Sequence, residues 1–109
     1  IDICVEEVAK KLKADGFYAN STLEFDNKDI LKKIHYRNNQ GEVKVEQLKE
    51  LIKKLKIKAN KVIFIGDSEN DIEVFKFTGK GITVHCFKED LGKVAWKSAN
   101  SLSDIKKFL

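Results

Sequence analysis

The residues best suited to chemistry form one polar run, residues 66–71, which reads Gly-Asp-Ser-Glu-Asn-Asp and directly follows an apolar stretch. Asp67 and Asp71 are four residues apart, so a helix that begins within the run can turn both carboxylates toward one crevice. Carboxylate, amide and hydroxyl oxygens are the ligands that Mg²⁺ prefers. The run therefore predicts a candidate metal site at Asp67 and Asp71.

A structural interpretation of the same run is open as well. Ser68 and Asp71 match a Ser-x-x-Asp capping box, in which side chains at the start of a helix satisfy free backbone N–H groups. This interpretation accounts for Ser68 and Asp71 but leaves Asp67 and Asn70 without a role. The residue types alone do not decide between a cap and a metal site.

The pattern around the polar run alternates between helix and strand. Residues 61–65 are largely apolar and β-branched, which is typical of a strand buried in a parallel sheet. From residue 42 onward, the order helix, strand, helix, strand, helix predicts βαβ units of an α/β fold. Ligands of such sheets bind at the carboxyl ends of the strands. Asp67 lies just past one such end, where we expect Gly66 to permit a sharp turn.

The outer segments are predicted with less regular patterns. Helical spacing of apolar residues predicts a helix over residues 5–12, and an extended run is expected from Phe17 to Phe25. Residues 30–37 fit both strand alternation and a helix face; we favour the strand, which gives a small β-hairpin near residues 21–37. A last helix is predicted to be capped at Ser103 and Asp104.

Composition excludes several classes of function. The 109 residues allow one modest domain, and 21 basic against 17 acidic residues give a net charge of +4. Arg37 is the single arginine, and the lysines are scattered among acidic residues, so we interpret them as a solvated surface and expect no nucleic-acid partner. No apolar run approaches the roughly 20 residues of a membrane span. Cys4 and Cys86 are too few for a disulfide framework, which favours a cytoplasmic protein.

The remaining chemically active side chains give weaker signals. His35 is predicted to be a surface residue of a strand, and Cys4 a buried structural cysteine. His85 and Cys86 are adjacent, so a strand would point them to opposite faces and prevent joint zinc binding.

Residues 66–71 resemble the fourth motif, GDxxND, of the haloacid dehalogenase superfamily of phosphohydrolases. Residues 41–48 are similar to the third motif, in which Lys44 opens the helix before the GDxxND strand. Residues 17–20, Phe-Tyr-Ala-Asn, resemble a segment of phosphoserine-phosphatase-like members. The resemblance implies a Rossmann-like core with a parallel sheet flanked by helices.

The resemblance also implies an activity, a Mg²⁺-dependent phosphomonoesterase that acts on a small phosphorylated metabolite through an aspartyl-phosphate. Asp67 would bind Mg²⁺ directly, and Asp71 would hold either a metal-bound water or the lysine. Lys44 would contact the nucleophile and the transferring phosphoryl group, and Asn70 would orient the phosphate. Catalytic roles thus fall to Lys44, Asp67 and Asp71, and substrate binding to Lys44 and Asn70.

Two parts of the family pattern are missing from the sequence. We find neither the DxDx[TV] motif that carries the nucleophile nor the second motif, a Ser or Thr that ends the next strand. We therefore expect residues 1–109 to be the C-terminal part of one hydrolase domain, with motifs three and four but without the cap, and to be inactive alone. The alternative is a non-catalytic remnant or split subunit. Such a chain would associate with the missing N-terminal portion or with a second copy of itself.

Overall fold

The computed structural model describes residues 1–85 and 89–109, which form two compact units, Ile1–Gln40 and Gly41–Leu109. Both units are described separately below. Among the described residues, no helix has the length and apolarity required to cross a lipid bilayer.

The first unit consists of helix α1 (Asp2–Leu12) and a hairpin of antiparallel strands β1 (Ser21–Phe25) and β2 (Leu31–Tyr36). The hairpin confirms the strand interpretation of residues 30–37. The extended run predicted from Phe17 enters the sheet only at Ser21, because Ser21 pairs with Tyr36, the last residue of β2.

No residue of the first unit is buried. The amphipathic pattern of α1 is present, yet its apolar side chains remain at least partly exposed, and every residue of β2 is exposed. Cys4 is also exposed, so the prediction that it is a buried structural cysteine is wrong. On the polar face of the hairpin, the Glu24 carboxylate pairs with Lys32 Nζ at 2.9 Å and with His35 Nε2 at 2.8 Å.

The second unit is an α/β layer built on a parallel sheet with strand order β3-β4-β5. The helices and strands of this unit are, in chain order, α2 (Gln40–Leu55), β3 (Phe64–Gly66), α3 (Ile72–Thr78), β4 (Gly81–Val84), α4 (Glu89–Val94) and β5 (Lys97–Ala99). The first residue of α2, Gln40, is the last residue of the first unit. The predicted parallel sheet flanked by helices is therefore confirmed. β3 is shorter than the apolar run suggests: Ala59–Lys61 forms a 3₁₀ turn, and Val62 and Ile63 lie between this turn and the strand.

The sequence pattern fails at two places near the C-terminus. It does not predict β5, because only Ala99 of its three residues is buried and no apolar alternation marks it. The last helix is a 3₁₀ segment, Leu102–Phe108, and its cap is Ser101, whose Oγ accepts the Asp104 N–H at 3.3 Å. The predicted cap at Ser103 and Asp104 is thus wrong by two residues.

The core of the second unit centres on β4, the middle strand, in which all four residues are buried. One apolar cluster joins this strand to its neighbours and contains four buried residues: Ile82 and Val84 of β4, Ala99 of β5 and Ile105 near the C-terminus. On α3, Phe75 is fully buried and meets the Phe64 ring edge-on, with 6.2 Å between ring centroids. A Cβ atom at Gly81 would overlap the Phe75 ring, so this glycine lets the helix pack closely on the sheet.

Candidate active site at the carboxyl edge of the sheet

The polar run lies where β3 ends, as predicted. After Gly66 the chain passes through Asp67 and Ser68 into a 3₁₀ turn, Glu69–Asp71, that leads directly into α3. The run therefore lies at the carboxyl edge of the parallel sheet, where α/β proteins bind their ligands.

Asp71 is the structural centre of this edge. Its side chain is only 3% exposed, and its Oδ1 accepts a hydrogen bond from Lys44 Nζ at 2.6 Å. Its Oδ2 accepts three more, from the N–H groups of Asp67 and Ser68 at 3.1 Å each and from Ser68 Oγ at 3.2 Å. Hydrogen bonds to ionised groups are among the strongest in proteins. A single carboxylate thus joins α2 to the loop after β3.

The capping interpretation of the run is confirmed, because Ser68 and Asp71 form a capping box at the start of the 3₁₀ turn. The ion pair with Lys44 goes beyond that interpretation, since a cap alone requires no partner on a distant helix. Asp71 therefore shapes the loop and fixes a lysine 27 positions away in the sequence.

Gly66 is required by close packing and not by backbone conformation. Among the described glycines, Gly79 alone has a positive φ, so Gly66 does not use the left-handed conformation that glycine favours, and the expected sharp turn there stays a prediction. A Cβ atom at Gly66 would instead collide with the carboxylate of Asp71. The absence of a side chain at Gly66 leaves the space into which Asp71 folds back.

The charge state of Asp71 follows from opposing effects. Burial disfavours the ionised form and raises the pKa of Asp71, but the Lys44 ammonium and the N–H groups of Ser68 and Asp67 favour the carboxylate and lower it. The hydrogen bonds and the positive charge outweigh burial, so the pKa of Asp71 lies below its usual value of 3.8. Asp71 is consequently ionised at neutral pH and stays paired with Lys44.

Asp67 and Asn70 are exposed and available to a ligand. The backbone N–H of Asp67 is bound to Asp71, but its carboxylate has no hydrogen bond or ion pair with any residue in the described ranges. Asn70 lies within the 3₁₀ turn, three residues along. The structure thus holds the backbone of this loop and leaves the Asp67 carboxylate open.

The two aspartates of this edge, Asp67 and Asp71, differ in how well they fit a divalent cation. In the described part of the chain, no three His, Cys, Asp or Glu side chains form a group that could hold a metal ion. Both oxygens of Asp71 already accept hydrogen bonds from protein donors, and direct ligation of a metal by Asp71 stays a prediction. Asp67 does fit, because Mg²⁺ usually binds through one or two carboxylates and keeps several waters. Metal binding at Asp67 stays a prediction.

A pocket of about 300 Å³ opens beside Asp67. It is lined by residues from the ends of β3 and β4 and by one from the last 3₁₀ segment: Ile65, Gly66, Asp67, Val84, His85 and Leu102. His85 is the site residue that the sequence reasoning missed. The signal was its position directly after β4, which matches that of Asp67 directly after β3. Cys86, with which His85 was weighed as a zinc ligand, lies outside the described residues.

The family model for haloacid dehalogenase-like hydrolases matches residues 5–104. The chain belongs to this family. A phosphoserine phosphatase of Lactococcus lactis subsp. lactis (strain IL1403) is 33% identical over 78 residues, which are 72% of this chain and 36% of that protein.

Solved structures agree with this hydrolase family. A phosphoserine phosphatase in apo form superposes with a TM-score of 0.79 at 24% identity and shares the fold; the match covers 100% of this chain and 55% of that one. A substrate-bound phosphoserine phosphatase gives 0.77 at 25% identity, and a phospho-aspartyl intermediate analogue of phosphoserine phosphatase gives 0.78 at 25%; each match covers 100% of this chain and 52% of the other. This haloacid dehalogenase-like chain therefore spans about half of the solved structures and about a third of the Lactococcus relative. The individual roles of Lys44, Asp67, Asn70 and Asp71 stay predictions.

Proposed function

We propose that this chain is part of a Mg²⁺-dependent phosphomonoesterase of the phosphoserine phosphatase type, which acts on a small phosphorylated metabolite. The observation that carries the proposal is the pairing of Lys44 with Asp71 at 2.6 Å, next to the open carboxylate of Asp67. Membership of the hydrolase family and the likeness to phosphoserine phosphatases support it.

Lys44 supplies positive charge to the transferring phosphoryl group. Phosphoryl transfer requires little covalent chemistry from the protein beyond the nucleophile, so most of the catalytic work is the stabilisation of charge on the phosphoryl oxygens. Lys44 is half-buried and held by an almost fully buried carboxylate, so its ammonium is fixed before substrate arrives. Such preorganisation avoids the reorientation of a flexible lysine during the reaction. Asp71 acts through Lys44 and is a positioning residue.

Asp67 and Asn70 lie on the loop after β3, where Asp67 would bind Mg²⁺ and Asn70 would bind the phosphate. Mg²⁺ bound at Asp67 would supply charge neutralisation for the phosphoryl oxygens. The Asn70 side chain offers an amide that can donate hydrogen bonds to a phosphate oxygen and orient it. The capping box orders the 3₁₀ turn that contains Asn70, and Asp67 directly precedes its cap residue, Ser68.

The nucleophile is proposed to be an aspartate outside these 109 residues, which carries the phosphoryl group as an aspartyl-phosphate. Residues 1–109 contain no DxDx[TV] motif. On this proposal the chain provides the lysine and metal half of the site and does not turn over by itself. The small number of cysteines is compatible with action in the cytosol, which we also propose.

The proposal is tested with the complete enzyme that contains this chain, using a generic aryl phosphate as substrate. We expect phosphate release only with Mg²⁺, and a loss of at least about a hundredfold in Asp67→Asn, as for the removal of a major electrostatic contact. Asp90→Asn is the matched control, because Asp90 is an exposed carboxylate whose side chain pairs with Lys93 at 3.2 Å on α4. Metal-independent turnover, or full activity of Asp67→Asn, would contradict the proposal.

A second candidate function is association as a non-catalytic binding module. It is favoured by the first unit, in which large apolar side chains remain exposed, among them Ile34 at 50% and Tyr36 at 69%. Exposed apolar patches mark interaction surfaces. The partner would be the N-terminal portion of the same enzyme or a second copy. Sedimentation velocity on the 109-residue chain separates the cases, because a concentration-independent monomer would argue against self-association.

A further inference from the structure

His85 has an unusual backbone conformation at the end of β4. Its φ of 49° lies in the left-handed region, which is uncommon for residues other than glycine. Three other described non-glycine residues share this feature, and each sits after a helix or in the hairpin turn: Lys13, Asp29 and Lys56. His85 directly follows a strand instead. Residues held in sparsely populated backbone conformations cluster at functional sites.

His85 lines the pocket beside Asp67. In the parallel register Ile65 lies beside Ile82, so these two residues and Val84 share one face. The pocket is lined by Ile65 and Val84 and also by His85, which leaves the extended strand conformation directly after Val84. His85 is exposed, so it is accessible to a ligand in this pocket.

Asp67 is connected to two groups of this edge. Its backbone N–H is bound to the carboxylate of Asp71, which is the partner of Lys44. Its pocket is also lined by His85, together with the apolar residues Val84 and Ile65. An imidazole can donate an N–H hydrogen bond even when it is neutral, and phosphate oxygens are strong acceptors.

We propose that His85 is a ligand-positioning residue, which hydrogen-bonds a phosphate oxygen of the ligand in the pocket beside Asp67. The inference rests on the proposed function, because it takes the ligand to be a phosphate ester. It adds a second wall to the phosphate site, one that none of the sequence motifs contains.

The two histidines of the chain provide the experiment with an internal control. The ¹⁵N-labelled 109-residue chain is titrated with inorganic phosphate in the presence of Mg²⁺, and the imidazole signals are followed by NMR. We expect the His85 signals to shift and saturate, whereas those of His35, which is paired with Glu24 on the hairpin, stay in place. Equal shifts of both histidines, or no shift of His85, would overturn the inference.

Two variants separate a ligand contact from a structural role. His85→Ala should weaken phosphate binding by about five- to tenfold, as expected for the loss of one hydrogen bond. His85→Asn should remain within about twofold of the wild type, because asparagine tolerates the left-handed conformation and keeps a donor. Wild-type affinity in His85→Ala would refute the contact. Weaker binding by His85→Asn than by His85→Ala would show that the affinity does not depend on a donor at this position, and would overturn the inference as well.

The Asp67 backbone amide distinguishes failure of the inference from failure of the proposed function. If the Asp67 amide shifts with Mg²⁺ and phosphate while His85 does not, the phosphate site stands and the role of His85 is refuted. If neither signal shifts, the chain binds no phosphate at this edge and the inference is refuted, whereas the proposed function is decided by the Asp67→Asn assay on the complete enzyme.

Discussion

The two units of the chain hold their structure in different ways. In Ile1–Gln40 no residue is buried, and hairpin pairing and surface ion pairs contribute to the stabilisation of this unit. In Gly41–Leu109 lie all the buried hydrophobic residues of the described chain, and Asp71, at the centre of the candidate site, is buried there too. Buried apolar area is the main source of folding free energy, whereas exposed ion pairs add little. The candidate site is therefore built on the unit whose buried core can hold the side chains of the site in fixed positions.

The largest expected difference between the units is the cost of removing an aromatic ring. Phe75→Ala should lower the free energy of unfolding by about 3–5 kcal/mol, because Phe75 is fully buried against Phe64 and the sheet. Phe25→Ala is the control in the hairpin, where the ring is 43% exposed, and should cost less than about 1 kcal/mol. Urea unfolding followed by circular dichroism measures both, and equal costs would break the comparison.

Removal of a lysine should also cost more stability in the second unit than in the first. Lys44→Gln leaves the Asp71 carboxylate without its cation, and we expect a loss of about 1–3 kcal/mol in the free energy of unfolding. Lys10→Gln on α1 is the matched control, because Lys10 pairs with Glu6 and Glu7 on an exposed surface and should give no measurable loss. The same urea experiment checks the pair, and an unchanged Lys44→Gln would show that the ion pair does not stabilise the fold.

Glycine substitutions should give a difference in stability between the units of similar or slightly smaller size. Gly66→Ala places a methyl group where the Asp71 carboxylate lies, so the loop must shift at a cost of about 1–3 kcal/mol. Gly16→Ala in the first unit meets no atom within 4 Å and should stay within about 0.5 kcal/mol of the wild type. Thermal unfolding of both variants tests this, and a neutral Gly66→Ala would mean that Asp71 can be repositioned freely.

The smallest expected effect is a dependence of stability on pH. The pKa of Asp71 is lower in the folded chain than in the unfolded chain, so the unfolded chain binds the proton first as pH falls. The stabilisation is complete above the unfolded pKa of 3.8 and is lost as pH falls through the lower folded pKa. Between about pH 5 and about pH 2.5, the wild type should therefore lose more stability than Asp71→Asn.

Unfolding free energies measured across this pH range in both proteins give the two slopes. A steeper slope in Asp71→Asn than in the wild type would contradict the prediction.

Sequence reasoning reached the features that depend on local pattern. The apolar run before Gly66, the alternation of elements and the hairpin near residues 21–37 follow from periodicity, and the structure contains all three. The resemblance to the family also singled out Lys44, and the structure brings it to Asp71. Asp67 and Asn70 lie on the loop where the pattern put them, although what they bind stays a prediction.

The features that sequence reasoning missed depend on tertiary contact. β5 exists because three mostly polar residues pair with β4, and no periodicity reports that pairing. His85 lines the pocket and has a left-handed backbone conformation, and the neighbouring residues in the sequence do not indicate that conformation. The role of Gly66 was assigned to a turn, whereas it depends on a carboxylate that packs against it from five residues away.

The fourfold use of the Asp71 carboxylate has a consequence for anyone who would transplant this loop into another scaffold. The hexapeptide of residues 66–71 carries its own cap, but its acidic centre is neutralised by a residue of the preceding helix. A graft without a lysine at the position of Lys44 would import an uncompensated negative charge. The smallest portable module is consequently discontinuous, and mutations at Lys44, Gly66 and Ser68 should combine non-additively, since each acts on the same carboxylate.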